Sequence, residues 1–521
     1  MNDPLPTIPV SVEGRNDTRL RLSATADSKL SDWLDSNGLP LNTRCGGKGV
    51  CRGCSVILNG ERVRSCQIEL ANLKPEETSL HIPQRSLHSE TLEGVSAFEI
   101  NRRNTSYRRR AGIGVSLDIG TTTVAGSLWD LSSGMCLAVA SVANAQRRHG
   151  DNILARIDFA VNRDSGSDTL QSALVKGSVD PLIQTLLQKA GLAQESITEA
   201  IASGNTVMLH TLLGESLAGF TAYPFHPVFL EERHLSTTAI GLGTDFPLVL
   251  TPSLGPFVGG DILAGALAAG ISEGPENALL IDFGTNGEIL LRAGDRFLAT
   301  ATAAGPAFEG GRLMHGAPAA PGVIGGLQIN GDQWITETIG DRSPEKATGI
   351  SGAAYIDFMA EARSNGFLNP MGRLDREHAL VESREIEGES EWLVALTGNL
   401  FITESDIAEI IQAKAAILGG TLALMEEADI AAEEIEAIYV AGGFGYHLDP
   451  AHAVNIGLLP NVPTGKIQVI GNASLAGASL LLQGNLAQEC ERLCEKCEVI
   501  ELNQLESFED HYIDAMFLDR G

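Results

Sequence analysis

Four cysteines near the N-terminus follow the pattern Cys45-x5-Cys51-x2-Cys54-x11-Cys66, with glycines at 46, 47, 49 and 53 between the first three. Four thiolates can hold the two irons of a [2Fe–2S] cluster, and the glycines let the loop wrap it with N–H groups turned toward sulfur. A structural zinc also accepts four thiolates, but it usually takes them from paired C-x2-C elements without a glycine-rich wrap. Free thiols are the remaining reading.

A different chemistry is written at Val115-Ser-Leu-Asp-Ile-Gly-Thr-Thr-Thr123. An apolar run ends in Asp118, Gly120 lets the backbone turn, and Thr121 and Thr122 follow. Backbone N–H groups and hydroxyls gathered at such a turn cradle phosphate, and the neighbouring acid can hold water on Mg2+. The same order returns at Asp282, Gly284 and Thr285, followed by Asn286.

These residues need strands that end together. Each hairpin is followed well downstream by an amphipathic stretch and then by an apolar strand running into glycine. In the first half this strand is 201–204, leading to Asn205; in the second it is 438–441, leading to Gly442, Gly443 and Phe444. Two similar halves facing one another would form a cleft. Before the second of these strands, Thr403-x-x-Asp406 has capping-box form and opens a long helix over 404–427. Lys414 shares its apolar stripe, where it either reaches phosphate or lies along the core edge.

At 521 residues, with 43% hydrophobic residues, 57 glycines and few aromatics, the chain reads as a large α/β protein of about three domains. Its net charge of −29 argues against nonspecific nucleic-acid binding. The N-terminus lacks the form of a secretory signal and no window has the length of a membrane span, so a cytoplasmic protein without a membrane partner is expected. Basic charge is concentrated at Arg102, Arg103, Arg108, Arg109 and Arg110, in a segment read as a tether or as a handle for acidic surfaces. The polar stretch 144–152 reads as a surface loop, or as part of the cleft wall, with His149 at the surface. Asp261 opens an Ala-rich helix at 262–269, so capping is its default role and water activation the alternative. Cys490, Cys494 and Cys497 have the spacing of a [4Fe–4S] motif, but a thiol stripe on one face of a late helix is favoured.

The two hairpins with the late Ala441-Gly-Gly-Phe-Gly445 resemble the phosphate and adenosine motifs of the sugar kinase, actin and heat-shock ATPase superfamily. That resemblance implies two ribonuclease-H-like lobes with ATP and Mg2+ between them, and a glycine loop, here Gly305 to Glu309, approaching the nucleotide. The cysteine loop looks like that of plant- and adrenodoxin-type ferredoxins, which implies a β-grasp domain; it departs from the plant pattern in one extra residue in the first gap and a short last gap. With Gly204-Asn-Thr, Val258-Gly-Gly-Asp261 and Gly305-Pro-Ala-Phe-Glu-Gly310, the whole resembles the ATP-dependent reductive activators of corrinoid proteins.

The expected organisation is a [2Fe–2S] ferredoxin-like domain at 1–84, a basic linker at 85–113, ATPase lobe one at 114–265 and lobe two at 266–521. The resemblance implies re-reduction of Co(II) to Co(I) on a corrinoid protein of a methyltransferase system, with Asp118, Asp261 and Asp282 catalytic. It also implies an upstream electron donor, and it is compatible with a homodimer. A plant-type cluster sits at about −400 mV, not low enough for easy transfer to a base-ligated Co(II), so ATP would supply the drive. The alternatives are an activator of a 2-hydroxyacyl-CoA dehydratase type enzyme, a redox-regulated small-molecule kinase, and an electron carrier that merely binds nucleotide.

Overall fold

A computed structural model describes residues 7–12, 18–21, 28–37, 39, 41, 49, 54–74, 78–82, 86 and 108–518, apart from 332, 341–342, 387 and 485. Cys45, Cys51, Arg102, Arg103 and most of the linker expected at 85–113 lie outside these residues.

The first unit contains β1 (Thr7–Val12), β2 (Thr18–Arg21), α1 (Leu30–Ser36), β3 (Ser55–Leu58), β4 (Glu61–Arg64) and β5 (Leu80–Ile82). Its sheet order is β2-β1-β5-β3-β4, with β1 and β5 parallel at the centre, which is the β-grasp arrangement. Ile8, Val10 and Val12 point inward at the two-residue period of a strand, and Leu30, Trp33 and Leu34 face them at helical spacing. Asn59 and Gly60 turn β3 into β4, both with positive φ, at 53° and 89°. An Asn-Gly pair suits this two-residue hairpin because its twist matches that of the flanking strands.

Lobe one is built on β6 (Ile113–Ile119), β7 (Thr123–Asp130), β8 (Met135–Ala143), β9 (Ile197–Gly204), β10 (Arg233–Ser236) and β11 (Pro247–Leu250), in the order β10-β11-β9-β6-β7-β8. Helices α2 (Ile153–Asn162), α3 (Gly166–Leu174), α4 (Asp180–Ala190), α5 (Thr206–Leu213) and α6 (Gly260–Ala269) accompany it. Central β6 runs parallel to β9 and antiparallel to β7. Covered on both faces, it buries Val115, Ser116, Leu117 and Ile119 alike. Arg110, just before β6, forks onto Glu199 with contacts of 2.7 and 2.9 Å. Arg110, at the described end of the basic segment, is therefore fastened to one glutamate of this protein's own first lobe.

Lobe two repeats the plan. Its main sheet contains β12 (Asn277–Phe283), β13 (Gly287–Ala293) and β14 (Arg296–Thr302), then β20 (Ala437–Ala441), β21 (Ile467–Gly471) and β22 (Cys497–Val499), in the order β21-β20-β12-β13-β14-β22. Again the first strand pairs antiparallel with the second and parallel with the fourth. The insertion between β14 and β20 carries β15 (Ile324–Asn330), β16 (Gln333–Thr338), α7 (Gly352–Ser364), β17 (Val381–Ile386), β18 (Glu389–Thr397), β19 (Leu400–Thr403) and α8 (Glu404–Glu427). The reciprocal Thr403–Asp406 capping box opens α8 as expected. By length and composition α8 could cross a membrane, but 78% of its apolar window is buried, which makes it a core helix. After β20 come α9 (Pro450–Asn455), α10 (Ala473–Gln483), α11 (Ala487–Lys496) and α12 (Glu506–Asp514).

Helix α10 follows a lobe-two strand yet packs on β6 and β9 of lobe one. Ser479 Oγ lies 2.7 Å from Ser116 Oγ and 3.1 Å from Ser127 Oγ, while Trp129 Nε1 donates to Ser127 at 2.8 Å. Where α10 crosses α6, a Cβ at Gly477 would stand 1.9 Å from the Ala264 carbonyl oxygen. Only glycine permits that approach.

Lys414 is fully buried and its ammonium donates to the carbonyls of Gly457 at 3.2 Å, Ala515 at 2.5 Å and Phe517 at 2.9 Å. It is a staple for the C-terminal segment and does not reach a phosphate site. Lys414→Met leaves those carbonyls without this donor, and chemical denaturation should register a loss of about 2–5 kcal/mol.

Candidate functional site

Both acid-glycine-threonine turns sit at equivalent corners of their sheets. Asp118 ends β6 beside Ser203 of β9, and Asp282 ends β12 beside Ala441 of β20. Between the lobes lies a cavity of about 700 Å³. It is lined by Asp118, Gly120, Thr121, Thr122, Asp261, Asp282, Gly284, Thr285, Asn286, Glu309, Gly442, Gly443 and Phe444, all expected from sequence. The turns meet across it: Thr122 Oγ1 is 2.6 Å from Thr285 Oγ1, and both hydroxyls donate to Glu309 Oε2 at 2.9 Å. Gly305 does not line the cavity. With φ at 74° it caps the short turn at 306–309 that brings Glu309 in, so its role is one step removed.

Asp261 is not the cap of α6. Gly259 holds that place and Asp261 is the second helical residue, its Oδ1 accepting from Ile262 N at 2.9 Å. The helix starts earlier than expected, on two glycines whose positions admit no side chain: one would collide at 259 with the Asn205 backbone and at 260 with Thr251. That earlier start places Asp261 on the cleft wall.

The sequence reading missed Asn472 and Ser474. Asn472 Nδ2 donates to Asp118 Oδ2 at 2.7 Å and Ser474 Oγ to Asp118 Oδ1 at 2.8 Å, so the start of α10 grips the lobe-one acid. Gly471-Asn472 at the end of β21 repeats Gly204-Asn205 at the end of β9, and each asparagine caps the following helix. That repeated strand-Gly-Asn-helix pattern was the available signal. Asn205 also reaches across to Glu288 Oε1 at 3.4 Å.

Four of the cleft carboxyls are held above their ordinary range. Burial is the first cause in each: Asp261 is pushed up to about 7 and Asp282 to about 8, while Asp118 and Glu288 are also raised. Mutual repulsion adds to burial for Asp261, Asp282 and Glu288. Such a cluster suits a cation-accompanied polyanion. Among the described residues no three Asp, Glu, His or Cys side chains converge to hold a metal ion by themselves. Mg2+ accompanying a nucleotide would thus be completed by phosphate oxygens and water, with these carboxylates around it.

The elevated carboxyls have a measurable consequence. A carboxyl whose folded pKa is raised contributes stability that is complete below about pH 4 and is lost as pH rises through the folded value. The nucleotide-free protein should therefore melt a few degrees lower at pH 8.5 than at pH 6 on this account. Asp282→Asn should flatten that slope, and Mg-ATP should reduce it in the parent protein, as thermal denaturation at several pH values would record.

Phe283, Phe308 and Phe444 form an apolar corner, with ring centroids 4.9 to 5.5 Å apart, and all three line the cavity. It offers a flat heterocycle an apolar wall. The stretch 144–152 is neither exposed loop nor cleft wall in the way expected. Asn144 and Gln146 are fully buried behind the first turn, and His149 is half-buried against Phe159, its ring pushed down to about 4 mainly by burial.

In the β-grasp unit, the β3–β4 hairpin returns the chain so that Ser65 N bonds to Cys54 O at 3.2 Å, which puts Cys66 beside Cys54. The short last gap of the cysteine pattern is the length of that hairpin. Both cysteines are buried; their thiols hydrogen-bond, which is the main cause holding Cys54 down to about 6, and Gln67 Nε2 donates to Cys66 Sγ at 3.6 Å. These two residues fit half of a thiolate site whose other half lies outside the described residues. Far away, Cys490 and Cys494 stand on α11, but Cys497 lies past its end in β22, so the three do not share one helix face. Cys490 is buried and the other two half-buried against the core around α6.

Residues 113–274 match the family description "RACo middle region" and residues 276–520 match "C-terminal domain of RACo the ASKHA domain". The chain is 27% identical to the corrinoid activation enzyme RamQ of Eubacterium limosum, over 96% of this chain and 98% of that one. It is 25% identical to the [Co(II) methylated amine-specific corrinoid protein] reductase of Methanosarcina barkeri, over 77% and 76%. Among solved structures, a reductive activator for a corrinoid, iron-sulfur protein superposes with a TM-score of 0.72 at 25% identity, covering 98% of each chain.

Proposed function

This chain belongs to the RACo family, and from that premise we propose that it is an ATP-hydrolysing reductive activator. It returns the cobalt of a corrinoid protein from inactive Co(II) to Co(I) by one-electron transfer, in support of a corrinoid-dependent methyltransferase system. The observation that carries this reading is the meeting of Thr122 and Thr285 across one acid-lined cavity, on a chain that also bears the buried Cys54–Cys66 pair.

In this reading Gly120, Thr121, Thr122, Gly284, Thr285 and Asn286 bind the nucleotide phosphates. Gly442, Gly443 and Phe444 take the adenosine. Asp118, Asp282 and Asp261 order Mg2+ and its water shell. A [2Fe–2S] cluster on Cys45, Cys51, Cys54 and Cys66 would supply the electron, itself replenished by an upstream donor. Glu309 now bridges the two threonines, and it must yield to a phosphate for the hydroxyls to bind one. Lobe closure on the nucleotide then differs from lobe closure on Glu309, and a partner that binds one closed form better is drawn along that equilibrium. The nucleotide thus acts on conformation and phosphorylates no acceptor.

The test is to mix the protein with a Co(II) corrinoid protein encoded beside it, a chemical reductant and Mg-ATP. Co(I) should appear in the absorbance spectrum and be trapped as methyl-Co(III) by a methyl donor. Equal Co(I) formation without ATP would defeat the proposal.

A further inference from the structure

Behind the first phosphate turn stands a charged residue that the reading above does not use. Arg156, on α2, is fully buried. Its Nη2 donates to the Thr121 carbonyl at 2.5 Å, Nε to Gly150 O at 3.0 Å, and Nη1 to Gln146 Oε1 at 3.0 Å and Met208 Sδ at 3.1 Å. All four partners are uncharged. Asn144 completes the support, its side chain donating to Gly120 O at 2.9 Å and its backbone N–H to Thr122 O at 2.8 Å.

The carbonyls of three successive residues are thus held from one side. In a planar trans peptide the C=O and N–H point in opposite directions. Holding the carbonyls of Gly120 and Thr121 from behind turns the N–H groups of Thr121 and Thr122 away from that support, toward the cavity that both residues line. The second turn is made differently: Gly284 N–H bonds to Asn286 O at 3.0 Å, closing the turn on itself.

A buried guanidinium without a hydrogen-bonded carboxylate is expensive to fold around, and it becomes favourable when an anion sits within its field. Burial lowers Arg156 to about 9, so it remains charged at neutral pH. The nearby carboxylates that act on it are Asp151 and Glu309, and Glu309 is the one bound to the turn's own Thr122.

We propose that Arg156 is the phosphate-positioning residue of lobe one: it aims the N–H groups of the Gly120–Thr122 turn and supplies the positive field for the terminal phosphates of a nucleoside triphosphate. This rests on the reading of the cavity as a nucleotide site. Arg156 acts through the turn and touches no ligand itself.

The experiment measures binding of ATP, ADP and adenosine, each with Mg2+, to the full-length protein and to Arg156→Lys and Arg156→Met. Arg156→Met should weaken ATP on the order of 100-fold, ADP less, and adenosine not at all, because the adenosine contacts belong to lobe two. Arg156→Lys keeps the charge but not the fork, and should recover part of the ATP affinity. It also keeps the test usable if the methionine variant does not fold. Equal losses for all three ligands, or unchanged ATP affinity in a folded variant, would overturn the proposal. If the parent protein itself binds no ATP, the nucleotide reading fails first, and the two failures are told apart by that control.

Discussion

Asp282→Ala is expected to lower Mg2+-dependent ATP hydrolysis by on the order of 10²–10³-fold without lowering the melting temperature of the nucleotide-free protein. Asp282 lies at the cleft corner where burial and its acidic neighbours already oppose its ionisation, so its removal relieves a strain on the empty fold. In the proposed reading, what it removes from the loaded site is an oriented acceptor for Mg2+-bound water. Asp118→Ala should match it in activity but not in stability, because Asn472 and Ser474 lose the carboxylate they both bind. Steady-state hydrolysis and thermal melts of both variants check this. Unimpaired hydrolysis in both would mean that the chemistry lies elsewhere.

Cys54→Ala should abolish ATP-dependent formation of Co(I), a loss limited only by the detection of the assay, while ATP binding is retained. Cys54 is fully buried in the β-grasp core beside Cys66, and neither residue lines the nucleotide cavity. Alanine is smaller and apolar, so that core tolerates it better than a polar substitute. Absorbance of the corrinoid partner and calorimetric titration of ATP give the two readouts. Retained Co(I) formation would exclude the four-cysteine site from the electron path.

How much of this was legible in the residues depended on the range of the interaction. The α8 start was readable because Thr403 and Asp406 cap one another locally. The two acid-glycine-threonine turns and their meeting in one cavity were readable because the pattern occurs twice. Asp118's partners were not, since Asn472 lies 354 positions away and its own neighbourhood announces only a helix cap. Lys414 illustrates the limit of periodicity: a stripe says which face is buried, not what covers it, and here the cover is a C-terminal segment offering carbonyls. Asp261 was misplaced by two residues because an acid before an alanine run looks like a cap, whereas the close approach at Gly259 and Gly260 depends on residues from β9 and β11's exit. Arg156 sits in an ordinary amphipathic helix, and nothing around it in the sequence names the carbonyl it holds.

The contact between Gly477 and Ala264 gives the molecule an axle. Helix α10 hangs from a lobe-two strand, grips Asp118 with its first turn and rests its body on lobe one, so one lobe cannot rotate against the other without turning about the α6–α10 crossing. A bulky residue at 477 would act as a wedge in that bearing, setting the angle between the lobes far from any ligand. Because the same helix carries the grip on Asp118, the angle of the lobes and the aim of that carboxylate are geared together. A swing about that axle would also be an adjustment of the acid.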